Sequence, residues 1–435
     1  MRVTVYGLWH LGCVTAACLA KAGHQVVAID PEEATVAALR AGRPPLHEPG
    51  LADLVRNGLE SGRLRFADDD GGAFADADVL WVTFDTPVDD DDVAQVSAVT
   101  TPLIARLPDL PNGCLVLVSS QVPVGTTRGL ADAARAVGRN DLTFGYSPEN
   151  LRLGKAIEVF THPDRVVVGL QSDADRARAG ELIAPFTSNI LWVGIESAEM
   201  IKHAINAFLA TSVTFMNEIA SVAEMVGADA REVEAGLKSE RRIGPGAYLS
   251  PGSAFAGGTL ARDVTTLAGL AHRHHVPAAL VPAILESNRR HGHWALRKLK
   301  EQFGSLAGQR IAILGLTYKP GTSTLRRSGA VELGRLLHGE GAKVTAFDPA
   351  LAELPPELVR VIELVPSAEA AVAGAVAVVL ATPWPEFRGL DWPRLLASMS
   401  QPAVVDAGWF LAGILRNRAD VAYSAVGLPR LRDTS

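Results

Sequence analysis

The chain has 435 residues, a formal net charge of −7, 48% hydrophobic residues and 20% charged residues. At roughly 100–200 residues per domain this length makes about two to four domains, and the composition is that of a globular protein with ample core. Mild acidity argues against non-specific binding to nucleic acid or to an anionic membrane surface. The three cysteines, Cys13, Cys18 and Cys114, suit neither a disulfide framework nor a zinc site. They read as buried or semi-buried thiols in a reducing compartment, and no metal is expected. The opening MRVTVYGLW reads as a strand, without the features of a secretory leader. No apolar run reaches the roughly 18 residues of a membrane span, so a cytoplasmic soluble protein is expected.

In chain order, residues 2–6 form a β-rich run. The glycine turn GLWHLG follows, then a helical pattern from Cys13 to Ala22, then the apolar run QVVAI ending at Asp30. Strand, glycine turn, helix, strand and acid make one βαβ unit. Further short apolar runs at 78–83, 114–119 and 165–170, with helical stretches between them, give the rhythm of a parallel doubly wound sheet. From about 198 to 226 apolar residues recur at helical spacing with no breaker, which predicts a long spine helix. A second helix-rich stretch covers about 263–303. From Gly308 the strand rhythm returns as QRIAILGLTYKP, a helix near 329–338, and AKVTAFDP with an acid at Asp348. Strands are also expected at 376–381 and 403–406. The fold class is α/β: two Rossmann-like doubly wound domains joined by a central helical domain, with boundaries at 1–196, 197–300 and 301–435. The run DDDD at 89–92 reads as a solvated turn.

A GxGxxG turn lets backbone approach a pyrophosphate whose charge sits at a helix N-terminus. Gly7 and Gly12 are present, but Trp9 stands at the middle glycine. Taken alone, the turn serves equally as a βα connection without a cofactor. Asp30 favours NAD: an acid at the end of the second strand accepts ribose hydroxyls and repels the extra phosphate of NADP.

A longer series of motifs carries a resemblance. PPLHEPGL ends in Glu48–Leu51, and Thr86-Pro87 follows the next strand. SQVPVGTT spans Ser120–Thr127, SPENLRLG spans Ser147–Gly154, and PDRVVVG follows it. EMIKHAINAFLA spans Glu199–Ala210, with Asn217-Glu218 after it. Then come Arg242 to Gly252, FAGGTLARD at Phe255–Asp263, GLTYKPGTSTLRRS at Gly315–Ser328 and TPWPEFRGLDW at Thr382–Trp392. In this order they resemble the UDP-glucose/GDP-mannose dehydrogenase family across almost the whole chain. The resemblance implies an N-terminal NAD-binding domain, a central helical domain that forms a homodimer, and a C-terminal domain for the nucleotide diphosphate of a sugar. The reacting sugar carbon would lie in the cleft between the outer domains.

The family oxidises a sugar C6 alcohol twice, the second time through a cysteine that traps the aldehyde. For the first step, Lys202, Asn206, Asp263 and Glu149 match the family's residues. Lys202 and Asn206 are four apart and share one helix face. An ammonium there stabilises a developing alkoxide and the amide positions the alcohol or a water. Asp263 holds a water or serves as base, and is also placed to be a helix N-cap. The resemblance further assigns Thr86, Gln121 and Arg326 to the cofactor. To the substrate it assigns Lys319, which resembles a diphosphate contact, Arg242, which reaches the partner subunit's site, and Tyr248, Phe255, Gly257 and Leu151.

The second step is depleted. Thr259 stands where the family's GFGGSCFPKD has its cysteine, Leu153 where PEFLREG has its second acid, and Gln121 where STVP has threonine. A neutral hydroxyl is a poor nucleophile without a strong base. The expectation is an NAD-dependent nucleotide-sugar dehydrogenase, acting on a UDP-hexose by default, that stops after one two-electron step. The alternatives are a full four-electron 6-dehydrogenase and a non-catalytic sugar-nucleotide binding protein. Ser323 and Thr324 replace paired acids, and Gly408 replaces a C-terminal arginine, so base and sugar specificity stay open.

Overall fold

The computed structural model describes residues 1–89, 93–149, 151–256 and 258–429. Gly257 and three of the four aspartates of the DDDD run fall outside them. The chain divides into two compact units, Met1–Ile205 and Asn206–Ser435.

The first unit is built on eight strands: β1 (Arg2–Tyr6), β2 (Gln25–Asp30), β3 (Leu64–Asp68), β4 (Val79–Val82), β5 (Leu115–Val118), β6 (Thr143–Tyr146), β7 (Val166–Leu170) and β8 (Ile190–Val193). Their order is β3-β2-β1-β4-β5-β6-β7-β8. The first six are parallel and reproduce the doubly wound dinucleotide-binding order. Central strands VLWV and LVLV are buried throughout, as both faces of a parallel sheet are covered by helices. The expected parallel sheet needs one correction: β7 runs antiparallel to β6, and β8 runs with β7. The run RVVVGL is apolar on both faces, and such a run carries no information about strand direction.

The second unit repeats the plan with β9 (Arg310–Leu314), β10 (Lys343–Phe347), β11 (Glu363–Leu364), β12 (Ala377–Leu380), β13 (Ala403–Val405) and β14 (Ala422–Ser424). Their order is β11-β10-β9-β12-β13-β14, all parallel. This is the second Rossmann-like half that the sequence announces. Helices precede it: Ala230–Ser239, Thr259–Arg273, Leu280–Gly292 and Trp294–Phe303. The spine is a single helix of 32 residues, Ile195–Val226. Its turns through Ile205 group with the first unit and those from Asn206 with the second. Among the described residues no helix is long and apolar enough to cross a membrane.

Candidate active site

The dinucleotide half starts at Gly7, whose φ of +100° is left-handed and suits glycine alone. A Cβ on Gly12 would stand 1.8 Å from the Gly7 carbonyl oxygen, so Gly12 is the glycine that lets the first helix, His10–Lys21, pack on the turn. Trp9 is the N-cap residue, with extended backbone (φ −85°, ψ −150°) and no side-chain cap. It is 44% exposed. The uncapped first turn of that helix leaves N–H groups for an anion.

Asp30 ends β2. Its Oδ2 accepts the Leu8 N–H at 2.6 Å and its Oδ1 the Glu32 N–H at 2.9 Å. The second half has the same device with a different outcome. Asp348, after β10, accepts the N–H groups of Leu316 and Thr317, the Thr317 hydroxyl and the Trp384 indole at 2.7–3.1 Å. Asp348 is 1% exposed and therefore sealed, whereas Asp30 is only partly covered and keeps lone pairs for ribose hydroxyls. The Gly7 turn, the uncapped helix and Asp30 together fit NAD. Thr86 is buried after β4, and Gln121 is partly buried after β5, both past the carboxyl ends of strands where dinucleotides sit.

Lys202 is 5% exposed. Its Nζ donates to the Glu149 carbonyl oxygen at 2.5 Å and lies 3.8 Å from Glu149 Oε1. A lysine on a long helix is ordinarily a solvated residue, and burial here overturns that reading. Glu149 Oε2 in turn accepts the Leu151 N–H at 2.6 Å, so Leu151 meets Glu149 through its backbone. Two neighbours dock this stretch of helix. Glu199, fully buried, accepts from the Gly125 and Thr127 N–H groups and the Thr127 hydroxyl at 2.6–2.9 Å. Burial pushes its carboxyl above the usual range against those donors. His203 Nε2 lies 3.0 Å from the Val122 oxygen.

In the second unit, the Asn206 amide donates to Asp263 Oδ2. Asp263 has no exposed surface and Asn206 is 7% exposed. The helix bearing Asp263 starts at Thr259, four residues earlier than expected, so Asp263 lies in its second turn and is no N-cap. Thr259 itself is exposed and opens the helix after Gly258, which has a φ of +106°. Phe255 packs against the apolar cluster formed by Ala207, Ala210, Val264 and Ile284.

Lys319 and Arg326 are exposed in the segment after β9. Arg242 is exposed, with its Nε 3.0 Å from Glu240 of its own chain. Tyr248 is exposed as well. Sequence reasoning missed Glu48. Its buried carboxylate accepts the Gly154 and Ala156 N–H groups at 2.8 and 2.9 Å and lies 3.0 Å from His10 Nε2. It thereby ties the segment after Glu149 to the start of the first helix. The motif EPGL was its only signal.

The comparisons with known proteins agree along the chain. Residues 1–187 match the NAD binding domain of the UDP-glucose/GDP-mannose dehydrogenase family, residues 196–290 its central domain, and residues 312–412 its UDP binding domain. The chain is 36% identical to a UDP-glucose 6-dehydrogenase of Rhizobium meliloti, covering 99% of this chain and all of that one. It is 32% identical to the UDP-glucose 6-dehydrogenase TuaD of Bacillus subtilis, over 100% and 94% of the two chains. Its structure resembles a UDP-glucose dehydrogenase from Pyrobaculum islandicum, with a TM-score of 0.82, 32% identity and 93% of each chain covered. A UDP-D-ManNAc dehydrogenase from Pyrococcus horikoshii shares the fold at a TM-score of 0.85 and 23% identity, over 99% and 100% of the two chains. The chain belongs to the UDP-glucose/GDP-mannose dehydrogenase family, NAD-dependent oxidoreductases acting on a CH–OH group of a nucleotide sugar.

Proposed function

We propose that this enzyme oxidises the C6 alcohol of a UDP-hexose by one two-electron step and releases the 6-aldehyde. The observation that carries the reading is one helix face bearing two buried polar groups a turn apart. Lys202 is held against Glu149, and Asn206 against Asp263. Lys202 supplies a fixed positive charge where the alcohol loses its proton and oxygen becomes anionic. Asn206 orients the alcohol. Asp263, directly or through a water, takes the proton. Gly7, the uncapped helix at Gly12, Asp30, Thr86, Gln121 and Arg326 would hold NAD, which when bound accepts the hydride from the sugar carbon. Lys319 supplies charge for the diphosphate, and Arg242 reaches toward the partner subunit's substrate site. The family resemblance assigns Tyr248, Phe255, Gly257 and Leu151 to the sugar, Gly257 lying outside the described residues.

Stopping after one step is supported by the thiol inventory. Thr259 stands at the cysteine position, and burial pushes the thiols of Cys13, Cys18 and Cys114 up to about 12, so none is a ready nucleophile. A full four-electron reaction would need a substitute.

The division into 1–196 for NAD, 197–300 for dimerisation and 301–435 for the nucleotide sugar follows these roles. A homodimer through the long helix is supported by Phe208, Phe215 and Val222, spaced by seven and exposed with Met225. A stripe at that spacing is a helix-pairing seam.

Product stoichiometry tests the function. With NAD and a panel of UDP- and GDP-hexoses, one NADH per sugar and an aldehyde trapped by mass are expected. Two NADH with a uronic acid would overturn the single step. Binding without any NADH would return the chain to the non-catalytic alternative.

A further inference from the structure

Residues 250–256 lead into the Thr259–Arg273 helix, and three side chains from two other helices grip this segment by its backbone. Asn217, on the long helix, accepts the Gly252 N–H at 3.0 Å and donates to the Ser253 oxygen at 3.4 Å. Asn288, on Leu280–Gly292, accepts the Phe255 N–H at 2.9 Å and donates to the Phe255 oxygen at 2.8 Å. His291, on the same helix, has Nε2 2.8 Å from the Gly252 oxygen. Asn217 and His291 are both buried.

The residue type matters. A side-chain amide carries a donor and an acceptor together, so asparagine can satisfy an N–H and a C=O on one short stretch of chain. A carboxylate can satisfy only the N–H, and leucine neither.

The grip has two consequences. It sets Phe255 against the apolar cluster that contains Ala207 and Val264, the residues that follow Asn206 and Asp263 in the chain. It also carries Gly252 past the carboxyl end of β13: a Cβ there would stand 3.9 Å from the Ala407 oxygen and the Gly408 Cα. In an open α/β sheet that is the edge where ligands bind.

We infer that Asn217, Asn288 and His291 are positioning residues that preform the segment Gly252–Phe255 as a rigid wall between the Asn206–Asp263 pair and the nucleotide edge of the second sheet. The wall is held by the protein's own side chains and does not need the sugar nucleotide to order it. The inference rests on the reading that Asn206 and Asp263 act in the oxidation.

Hydrogen–deuterium exchange on the full chain, with and without UDP, tests the preformed wall directly. The Gly252 and Phe255 amides are expected to exchange slowly in both conditions. Kinetics with UDP-glucose and NAD test the positioning role. Asn288→Asp is expected to lower kcat by about 10- to 100-fold, the scale of a small misplacement of reacting groups, while leaving NAD affinity unchanged. Asn288→Gln, which restores both donor and acceptor, is expected to recover part of the loss. Amides that become protected only on adding UDP would overturn the inference, as would Asn288→Asp and Asn217→Asp variants with wild-type kcat and KM. Should those variants fail to fold, exchange on the unaltered protein still decides. Asn206→Ala separates the two readings. If it is inactive while the clamp variants are normal, only the clamp fails; if it is fully active, the reading of the catalytic pair fails.

Discussion

Asn206 and Asp263 are joined side chain to side chain across two helices, the amide of one donating to the carboxylate of the other. Asp263 is completely buried, and a buried carboxylate is costly to keep unless its hydrogen bonds are made. In the proposed reaction Asp263 is the proton acceptor, and this hydrogen bond holds it in place. Asp263→Asn keeps the shape and removes the base. It is expected to lower kcat by about 10²- to 10⁴-fold, the usual contribution of a general base, with NAD affinity unchanged. Stopped-flow NADH formation and calorimetric NAD titration check the two halves of that statement. Asn206→Leu is expected to lose activity and, in addition, about 1–3 kcal/mol of stability, because the buried carboxylate loses this donor.

Trp9 concerns the cofactor in a different way. Its backbone is extended, not left-handed, so a glycine there would supply room and no needed conformational freedom. The indole occupies the position where a dinucleotide turn brings backbone closest to the pyrophosphate. Trp9→Gly is expected to tighten NAD binding by about tenfold, or 1.4 kcal/mol, and to cost about 0.5–1 kcal/mol of stability through the freedom of the unfolded chain. Isothermal titration and thermal melting measure the two effects. Unchanged or weaker NAD binding would mean that the indole has become part of the seat.

What could be read from the sequence was local. The strand, Gly7 turn, helix and Asp30 lie within one stretch of chain, and so does their echo around Gly315 and Asp348, because period and turn chemistry are encoded residue by residue. The difference between the two acids was not readable: Asp348 is sealed by Trp384, 36 residues away. The reversed direction of β7 left no mark on an apolar run. The grip of Glu48 on Gly154 and Ala156 spans more than a hundred residues, and Asn288 meets Phe255 across 33. Such pairings depend on the closed fold. The candidate catalytic residues were proposed from motif order; the burial of Lys202 and the start of the helix at Thr259 came only with the structure.

Thr259 offers a gain-of-function experiment. It opens a helix and is exposed, and a thiol at a helix N-terminus has a lowered pKa. In Thr259→Cys the thiolate can add to the aldehyde carbon, forming a C–S bond while the carbonyl oxygen takes a proton. With NAD bound as hydride acceptor, loss of the carbon-bound hydride and release of the hydroxyl proton to solvent would leave a thioester, which water would hydrolyse to the acid and the free thiol. A second NADH per sugar is expected, together with either uronic acid or protein-bound sugar by mass. Protein-bound sugar without free acid would place the remaining block at hydrolysis, where Leu153 replaces an acid. One NADH and no adduct would show that Thr259 is not what truncates the reaction.

Glu48 makes the first unit sensitive to acid. Burial on its own would raise its carboxyl, but hydrogen bonds from the Gly154 N–H, His10 and the Ala156 N–H outweigh burial and hold it below the usual range. A carboxyl lowered in the folded state stabilises the fold above its unfolded value, roughly 4.3. That stabilisation is lost as pH falls through the lower folded value. Glu48→Gln keeps one acceptor and turns an amide donor toward N–H groups, so it is expected to cost about 1–3 kcal/mol at neutral pH. Melting curves of both proteins from pH 7 to pH 3 should therefore converge as the wild type loses its advantage below about pH 4.3. Parallel curves over the whole range would show that Glu48 does not titrate in this window and that its buried hydrogen bonds act without charge.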